Sequence, residues 1–301
     1  MHIHHRAARM AAVAVVAGAV LAAGGAVAQA AWEVDPASRL STEAKTVVDR
    51  FQRFMSETTG ISPQFRDGAG VAAAVRRGAA YDPQSFSQGM TLYAALAALS
   101  DPAFAEAVRE RADDIGREAL IEELTANPTL AARLPGADRA AGRASAALTR
   151  EGEALIAAGR SVKQAAYDIQ RQPWSTVFMP NAAAALAEVK ALGSGRPDAG
   201  QARYIPASSS PMSYGVSPWV ATSGTVDRAL ALAALMTLGE APDGDRARPL
   251  LADGRGGQCL RMAKMNYHQC LAAAGPQYEG VYCVAVHAMI EPGQCVTAAG
   301  R

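Results

Sequence analysis

No charge of one sign dominates this sequence of 301 residues, which contains 29 basic and 28 acidic side chains. The first 30 residues include two of the basic residues and none of the acidic ones, so the chain that follows them has a net charge of −1. Nucleic acids and anionic membranes attract proteins through broad basic faces. A chain this close to neutrality is therefore not expected to bind nucleic acid or an anionic membrane through a broad basic face.

Recognisable catalytic motifs are missing as well. No G-x-S-x-G turn surrounds a serine, and only two histidines, His268 and His287, follow residue 30. A serine or cysteine nucleophile needs such a context or a histidine beside it. The Gly68-Ala69-Gly70 step lacks the preceding strand and the third glycine of a phosphate-binding loop. We therefore expect a protein that is not an enzyme, without catalytic, cofactor-binding or metal-ligating residues and without a cofactor.

A glycosidase that works with two carboxylates is the alternative that these absences leave open, because it needs no histidine and the fold alone brings its acids together. The visible pairs, Asp113-Asp114 and Glu122-Glu123, point about 100° apart on a helix and are expected to be solvated. The Ser56-Glu57-Thr58 step resembles the catalytic Glu-Ser of helical peptidoglycan lytic enzymes, with threonine in place of serine. A cell-wall or glycan hydrolase is thus the second hypothesis.

The first 30 residues have the composition of a secretory signal peptide. Arg6 and Arg9 precede an apolar run over residues 11–27, and the small triplet Ala28-Gln29-Ala30 follows it. We predict cleavage after residue 30, a periplasmic or secreted location, and no stable membrane insertion afterwards. The alternative is an uncleaved anchor, since the run approaches the length that spans a bilayer. Alanine and glycine hold a helix in lipid less strongly than leucine does.

Beyond residue 30 the chain is rich in alanine and shows one helical pattern after another. In residues 41–59 the apolar side chains recur at helical spacing and Gly60 follows, which predicts a helix that ends there. Asp101-Pro102 has the order of a helix cap and a first-turn proline. The predicted fold class is therefore all-α, an irregular helical bundle. Further helices are predicted over residues 86–99, from 101 to a break at Asn127-Pro128, over 181–192, and over 225–238, whereas residues 61–84 are mixed in composition.

The most regular pattern predicts a long helix over residues 138–172, with Asp138 as its cap. Bulky or medium apolar residues recur every seven positions, and small residues follow four positions after most of them. A neighbouring helix can pack closely against such small residues. That neighbour is either part of the same chain or a partner helix, for example in a dimer. The apolar positions are Ala141, Leu148, Leu155, Val162 and Ile169, and the candidate interaction residues are Ser145, Gly152, Gly159 and Ala166.

A segment rich in glycine, serine and proline follows, with Tyr204, Tyr214 and Trp219 as its aromatic residues. It is either a partner surface or a loop whose rings cover the core. The predicted organisation is a signal peptide at 1–30, a helical domain at 31–200, this loop at 201–224, and a C-terminal helical region at 225–301.

Cysteine is absent from the first 258 residues and occurs four times from position 259 onward. In a helix over residues 258–274, Cys259 and Cys270 share a face but lie about 16 Å apart along the axis. A disulfide needs Cα atoms within roughly 7 Å, so these two cannot bond each other. A short break at Gly275-Pro276 favours an antiparallel return. We therefore predict nested disulfides, Cys259 with Cys295 and Cys270 with Cys283.

The return is predicted as a helix, although the valines and tyrosines of residues 281–286 leave a strand as the alternative. In topology this hairpin resembles the coiled-coil-helix families, whose paired C-x9-C motifs join two antiparallel helices. A zinc site is the rival interpretation, but zinc is usually held through closer pairs such as C-x2-C. His268 is predicted on the far face of its helix from Cys270, so a metal site shared with the cysteines is not expected.

The sequence therefore favours an exported, non-enzymatic helical protein that binds or scaffolds a component of the cell envelope. Its partner would be an envelope protein or a second copy of the chain, and its contact surface would be the long helix or the 201–224 loop.

Overall fold

The computed structural model describes residues 40–193, 224–252 and 254–301, and within these ranges the chain is mostly helical with no β-strand. The predicted all-α class is therefore confirmed. The helices are α1 (Thr42–Thr59), α2 (Gly68–Ala79), α3 (Pro83–Leu99), α4 (Pro102–Ile115), α5 (Arg117–Ala126), α6 (Ala137–Asp168), α7 (Ala182–Gly193), α8 (Gly224–Thr237), α9 (Arg248–Leu251), α10 (Gly254–Ala273), α11 (Gln277–Cys283) and α12 (Glu291–Ala299). A 3-10 helix (Pro128–Arg133) lies between α5 and α6, and a π-helical segment (Val284–Ile290) lies between α11 and α12.

Side-chain caps explain why several helices begin where they do. The hydroxyl of Ser41 accepts a hydrogen bond from the Ala44 N–H at 3.0 Å, and α1 ends at Gly60 as predicted. Asp82 and Asp101 cap α3 and α4 in the same way, and each is followed directly by a proline. A capping side chain accepts hydrogen bonds from first-turn N–H groups that have no partner inside the helix. The proline that follows the cap has no N–H group and so needs no such partner.

Three local features differ from what the sequence predicts. The mixed stretch 61–84 contains α2, whose start is capped by the Asp67 side chain. The helix expected from residue 101 onward is divided into α4 and α5 at Gly116, whose φ of +93° favours glycine. Asp138 lies in the first turn of α6 and does not cap it, because the helix starts one residue earlier, after Gly136 in a left-handed conformation.

Helix α8 is buried on all sides. Its seven consecutive residues Ala229–Leu235 have 0% of their surface exposed, and it packs against α3, α6 and the 3-10 helix. Burial all round requires a helix that is apolar all round, which is the composition of this segment. No helix in the described ranges is both long enough and apolar enough to cross a membrane.

The helices before and after the 201–224 loop share one hydrophobic core. The 32-residue helix α6 connects them, since it contacts α1 and α3 as well as the π-helical segment and α12.

The C-terminal hairpin carries both disulfides in the predicted nested arrangement. Helix α10 runs to Ala273, and α11 begins after Pro276 and returns as a helix. Cys259 is bonded to Cys295 with their Cα atoms 5.8 Å apart, and Cys270 is bonded to Cys283 with their Cα atoms 5.6 Å apart. The geometric argument from the sequence is therefore confirmed.

The π-helical segment allows the return to continue through a proline. Pro292 has no N–H, and its ring would crowd the carbonyl four residues earlier, that of Ala288, in an ordinary α-helix. A π turn is wider and shifts the hydrogen-bond register by one residue. The chain therefore passes through Pro292-Gly293 as one helical path.

Candidate functional site

The small residues of α6 do not form a free groove. Adding a Cβ at Gly152 would place it 2.6 Å from the Gly293 carbonyl oxygen, and adding one at Gly159 would place it 2.9 Å from the Met289 Cβ. At these distances the added Cβ atoms would overlap atoms that already pack against the two glycines. The helix that packs against the small residues is thus the chain's own C-terminal return, and the partner-helix interpretation of this groove is not supported.

The other two small residues are also engaged within the chain. The hydroxyl of Ser145 donates to the carbonyl oxygen of Gly300, and Ala166 is 1% exposed. The remaining candidate interaction residues, Tyr204, Tyr214 and Trp219, lie outside the described residues, as do the predicted signal peptide and the loop around them.

A basic depression of about 560 Å³ lies where α7 packs against α10. No carboxylate lines it. We call its four basic side chains the α7–α10 basic face. They are Lys190 from α7 and Arg261, Lys264 and His268 from α10, and Pro83, Met265, Gln269 and Ala272 complete the lining.

Helical spacing places the α10 residues of this face together. Positions 261, 265, 268 and 272 follow the i, i+4, i+7, i+11 rule for one side of a helix, and Lys264 lies next to that stripe. Lys190 comes from a helix more than 60 residues earlier, and its position depends on the packing of α7 against α10. Helical spacing in the sequence is therefore enough to group the α10 residues of the face, whereas the position of Lys190 beside them cannot be predicted from the sequence.

Lys264 is the buried member of the face, with 6% of its surface exposed. Its ammonium group donates to the carbonyl oxygens of Ala79 and Tyr81, and it lies 4.5 Å from the centre of the Tyr81 ring. These carbonyls lie at and just beyond the end of α2, where a helix leaves its acceptors unpaired. Lys264 therefore holds the end of α2 against α10 and has a structural role.

Burial lowers the pKa of Lys264 to about 8, although the nearby Asp82 carboxylate acts in the opposite direction. Between pH 8 and pH 10 the unfolded chain still holds this proton while the folded protein releases it, so stability rises with pH through that window. Lys264→Met removes this dependence. We expect the free energy of unfolding of the native protein, relative to that of the variant, to rise by up to about 1.4 kcal/mol per pH unit.

Urea unfolding at pH 7, 8, 9 and 10 measures this difference. Burial raises the pKa values of Tyr81 and Tyr267, and those groups lower stability at still higher pH in both proteins. A constant difference between the native protein and Lys264→Met across the window would contradict the prediction.

The two histidines occupy separate environments. His268 lines the basic depression, and its Nε2 has no hydrogen-bond partner among the described residues. Burial lowers its pKa, and the charges of Lys264 and Lys190 lower it further. His287 lies in the π-helical segment, with its Nδ1 2.8 Å from Glu291 Oε1. The described ranges contain no cluster of three histidine, cysteine or acidic side chains that could hold a metal.

Lys190 and Arg261 are the exposed cations of the basic face, and neither forms an ion pair with another described residue. Arg76 of α2, by contrast, is paired with Glu188 of α7 at 2.9 Å. The two exposed cations come from different helices and line the same depression, which gives it a local positive charge. The arrangement is suited to binding a negative group.

Exposed apolar side chains adjoin this face. Met265 lines the depression and Met262 lies one turn earlier on α10, and 44% and 47% of their surfaces are exposed. Methionine is common at surfaces that adapt to a ligand, because its side chain is flexible and polarizable. The face can therefore hold an anionic group that carries an apolar neighbour.

A second depression, of about 660 Å³, lies between α1, α3 and α6. Its arginines are engaged within the chain. Arg143 lies 3.5 Å from the carboxylate of Asp101, and Arg150 donates to the hydroxyl of Tyr93 at 3.2 Å. Asp49 is the single carboxylate in its lining. Lys45 also lines this depression, which therefore holds one exposed cation without an ion pair among the described residues, whereas the basic face holds two.

Neither depression is lined by two carboxylates, the arrangement that a glycosidase needs. The pairs Asp113-Asp114 and Glu122-Glu123 are exposed on α4 and α5, and Glu57 is exposed near the end of α1. The hydrolase alternative remains a prediction without support from these sites.

Comparisons with models of protein families, with curated proteins and with solved structures found no match to this chain.

Proposed function

We infer from the four cysteines the kind of compartment in which the protein works. All four are paired in disulfides, and none is free. Such bonds form and persist in oxidising compartments, whereas cytosolic thiols are kept reduced. The disulfides therefore suggest an oxidising, exported location.

We propose that the protein is an exported, non-enzymatic binding protein of the cell envelope, periplasmic or secreted, and that its α7–α10 basic face holds an anionic group of its ligand. The observation that carries this proposal is the pair Lys190 and Arg261, two exposed cations from different helices that have no ionic partner among the described residues. They flank a depression without a lining carboxylate.

The chemistry of the two cations indicates what kind of anion fits. The guanidinium group of Arg261 can donate two parallel hydrogen bonds to a carboxylate or phosphate, and the ammonium group of Lys190 adds a point charge. The exposed side chains of Met262 and Met265 add apolar contact beside the charge. The expected ligand is an envelope component with a carboxylate or phosphate group next to an apolar group.

Calorimetric titration with inorganic phosphate, citrate and a hexaglutamate peptide tests the proposal. We expect the native protein to bind at least one of these probes, and Lys190→Gln/Arg261→Gln to weaken that binding by about tenfold or more, because charged hydrogen bonds are lost. The binding should also weaken as salt concentration rises, since both cations are exposed.

The matched control is Arg53→Gln/Arg109→Gln, which removes two exposed cations from α1 and α4 and gives the same net charge. It should bind the probe as the native protein does. Equal loss in both double variants would assign the binding to overall charge, and no binding of any probe by the native protein would overturn the proposed site.

A further inference from the structure

The loop between α6 and α7 forms a projection without charge. We call residues 173–180 the apolar tip. No charged side chain occurs from Gln172 to Ala187. Val177 is 59% exposed and Phe178 is 70% exposed, the two highest values among the large hydrophobic side chains of the described ranges. Hydrophobic side chains exposed to this extent next to each other are unusual on a monomer and mark a contact surface.

The backbone of the apolar tip is hydrogen-bonded to the hairpin turn beneath it. The Met179 N–H donates to the Gly275 carbonyl at 3.2 Å, and the Gln277 N–H donates to the Val177 carbonyl at 3.1 Å. The Tyr278 N–H donates to the Ser175 carbonyl at 3.3 Å. Backbone groups satisfied in this way can leave water at a lower cost than unpaired ones.

The apolar tip rests on a cross-linked part of the molecule. A Cβ added at Gly275 would lie 2.6 Å from the Phe178 ring, so the ring packs directly on the turn. The Cys270–Cys283 disulfide joins the two helices on either side of that turn. The exposed side chains are therefore presented in a fixed position, which lowers the ordering entropy that binding would cost.

Aromatic and basic side chains occur on the elements that adjoin the tip along the chain or by hydrogen bonding. Tyr167 of α6 is 47% exposed, and its ring lies 6.2 Å from that of Tyr282. Lys163 lies 5.6 Å from the centre of the Tyr282 ring, and Arg171 is exposed just before the loop. Tyrosine favours the boundary between lipid and water, and lysine and arginine there meet lipid phosphates.

We propose that the apolar tip docks on a lipid bilayer, with Val177 and Phe178 entering the interfacial region and with Lys163 and Arg171 next to the headgroup phosphates. An uncharged tip whose neighbouring elements carry tyrosine and basic residues has the composition that the interface favours. The contact is shallow and independent of the α7–α10 basic face.

Co-sedimentation with vesicles tests the proposal. The probes are vesicles of phosphatidylcholine alone and vesicles in which part of it is replaced by phosphatidylglycerol. We expect the native protein to sediment with both and more strongly with the anionic vesicles. Val177→Asp should weaken the association by about tenfold or more, because burial of a valine side chain is worth roughly 1.5 kcal/mol or more. Phe178→Ser should weaken it similarly and serves as a second variant.

Ala103→Asp is the matched control, because it places the same charge at an exposed position in the first turn of α4, outside both the tip and the basic face. It should sediment as the native protein does, and circular dichroism should show that each variant remains folded. No sedimentation of the native protein, or equal loss in Ala103→Asp and Val177→Asp, would overturn the proposal and leave a protein surface as the contact of the tip.

Discussion

Replacing Gly152 by alanine is expected to lower the free energy of unfolding by about 2–3 kcal/mol. The added methyl group would lie 2.6 Å from the Gly293 carbonyl oxygen and 2.7 Å from the Thr297 N–H nitrogen, and it would also meet the Thr297 hydroxyl. Two of these atoms belong to the backbone of α12, so the steric clash can be relieved only if the whole helix moves. Urea unfolding followed by circular dichroism measures the loss.

Gly142→Ala is the control in the same helix. A Cβ at Gly142 would meet nothing within 4 Å, and the residue is exposed. Alanine should stabilise α6 there by about 0.5–1 kcal/mol, because glycine loses more backbone freedom on folding. The same substitution should thus have opposite signs at two positions of one helix. If alanine stabilises the protein at both, α12 does not occupy the groove of α6.

Removing the outer disulfide with Cys259→Ala/Cys295→Ala should cost about 4 kcal/mol, and removing the inner one with Cys270→Ala/Cys283→Ala should cost about 3 kcal/mol. The bonds close segments of 36 and 13 residues, and the longer segment restricts the unfolded chain more. Denaturant unfolding under oxidising conditions measures both losses.

Reductant provides the control for this comparison. The variant that lacks all four cysteines should unfold at the same denaturant concentration with and without reductant, whereas the native protein should become less stable when reduced. Mass mapping of unreduced peptides should join Cys259 to Cys295 and Cys270 to Cys283. A bond between Cys259 and Cys270, or a larger loss from the inner pair, would contradict the nested hairpin.

Local chemistry made some of the structure predictable from the sequence. Helix α1 combines a capping serine, a regular apolar stripe and a terminal glycine, and all three signals agree. The disulfide pairing followed from helix geometry, because residues eleven apart share a face but are too distant to bond. These features depend on short stretches of chain, where the sequence is most informative.

Features that depend on distant contacts were not predictable. The small residues of α6 indicate close packing, but their spacing cannot show whether the helix that fills the groove belongs to the same chain. Lys190 joins Arg261 only because α7 packs on α10. The apolar tip is defined by pairing between residues about 100 positions apart, such as Val177 and Gln277.

The filling of the α6 groove has a consequence for the order in which the protein can fold. Ser145 and Gly300 are hydrogen-bonded across a separation of 155 residues, and Gly152 faces Gly293 and Thr297. While the chain emerges from a ribosome, α6 lacks these packing partners until residues 284–300 have emerged. The core around α6 is therefore completed only when synthesis is almost finished, and the two disulfides then hold the closing helices in place.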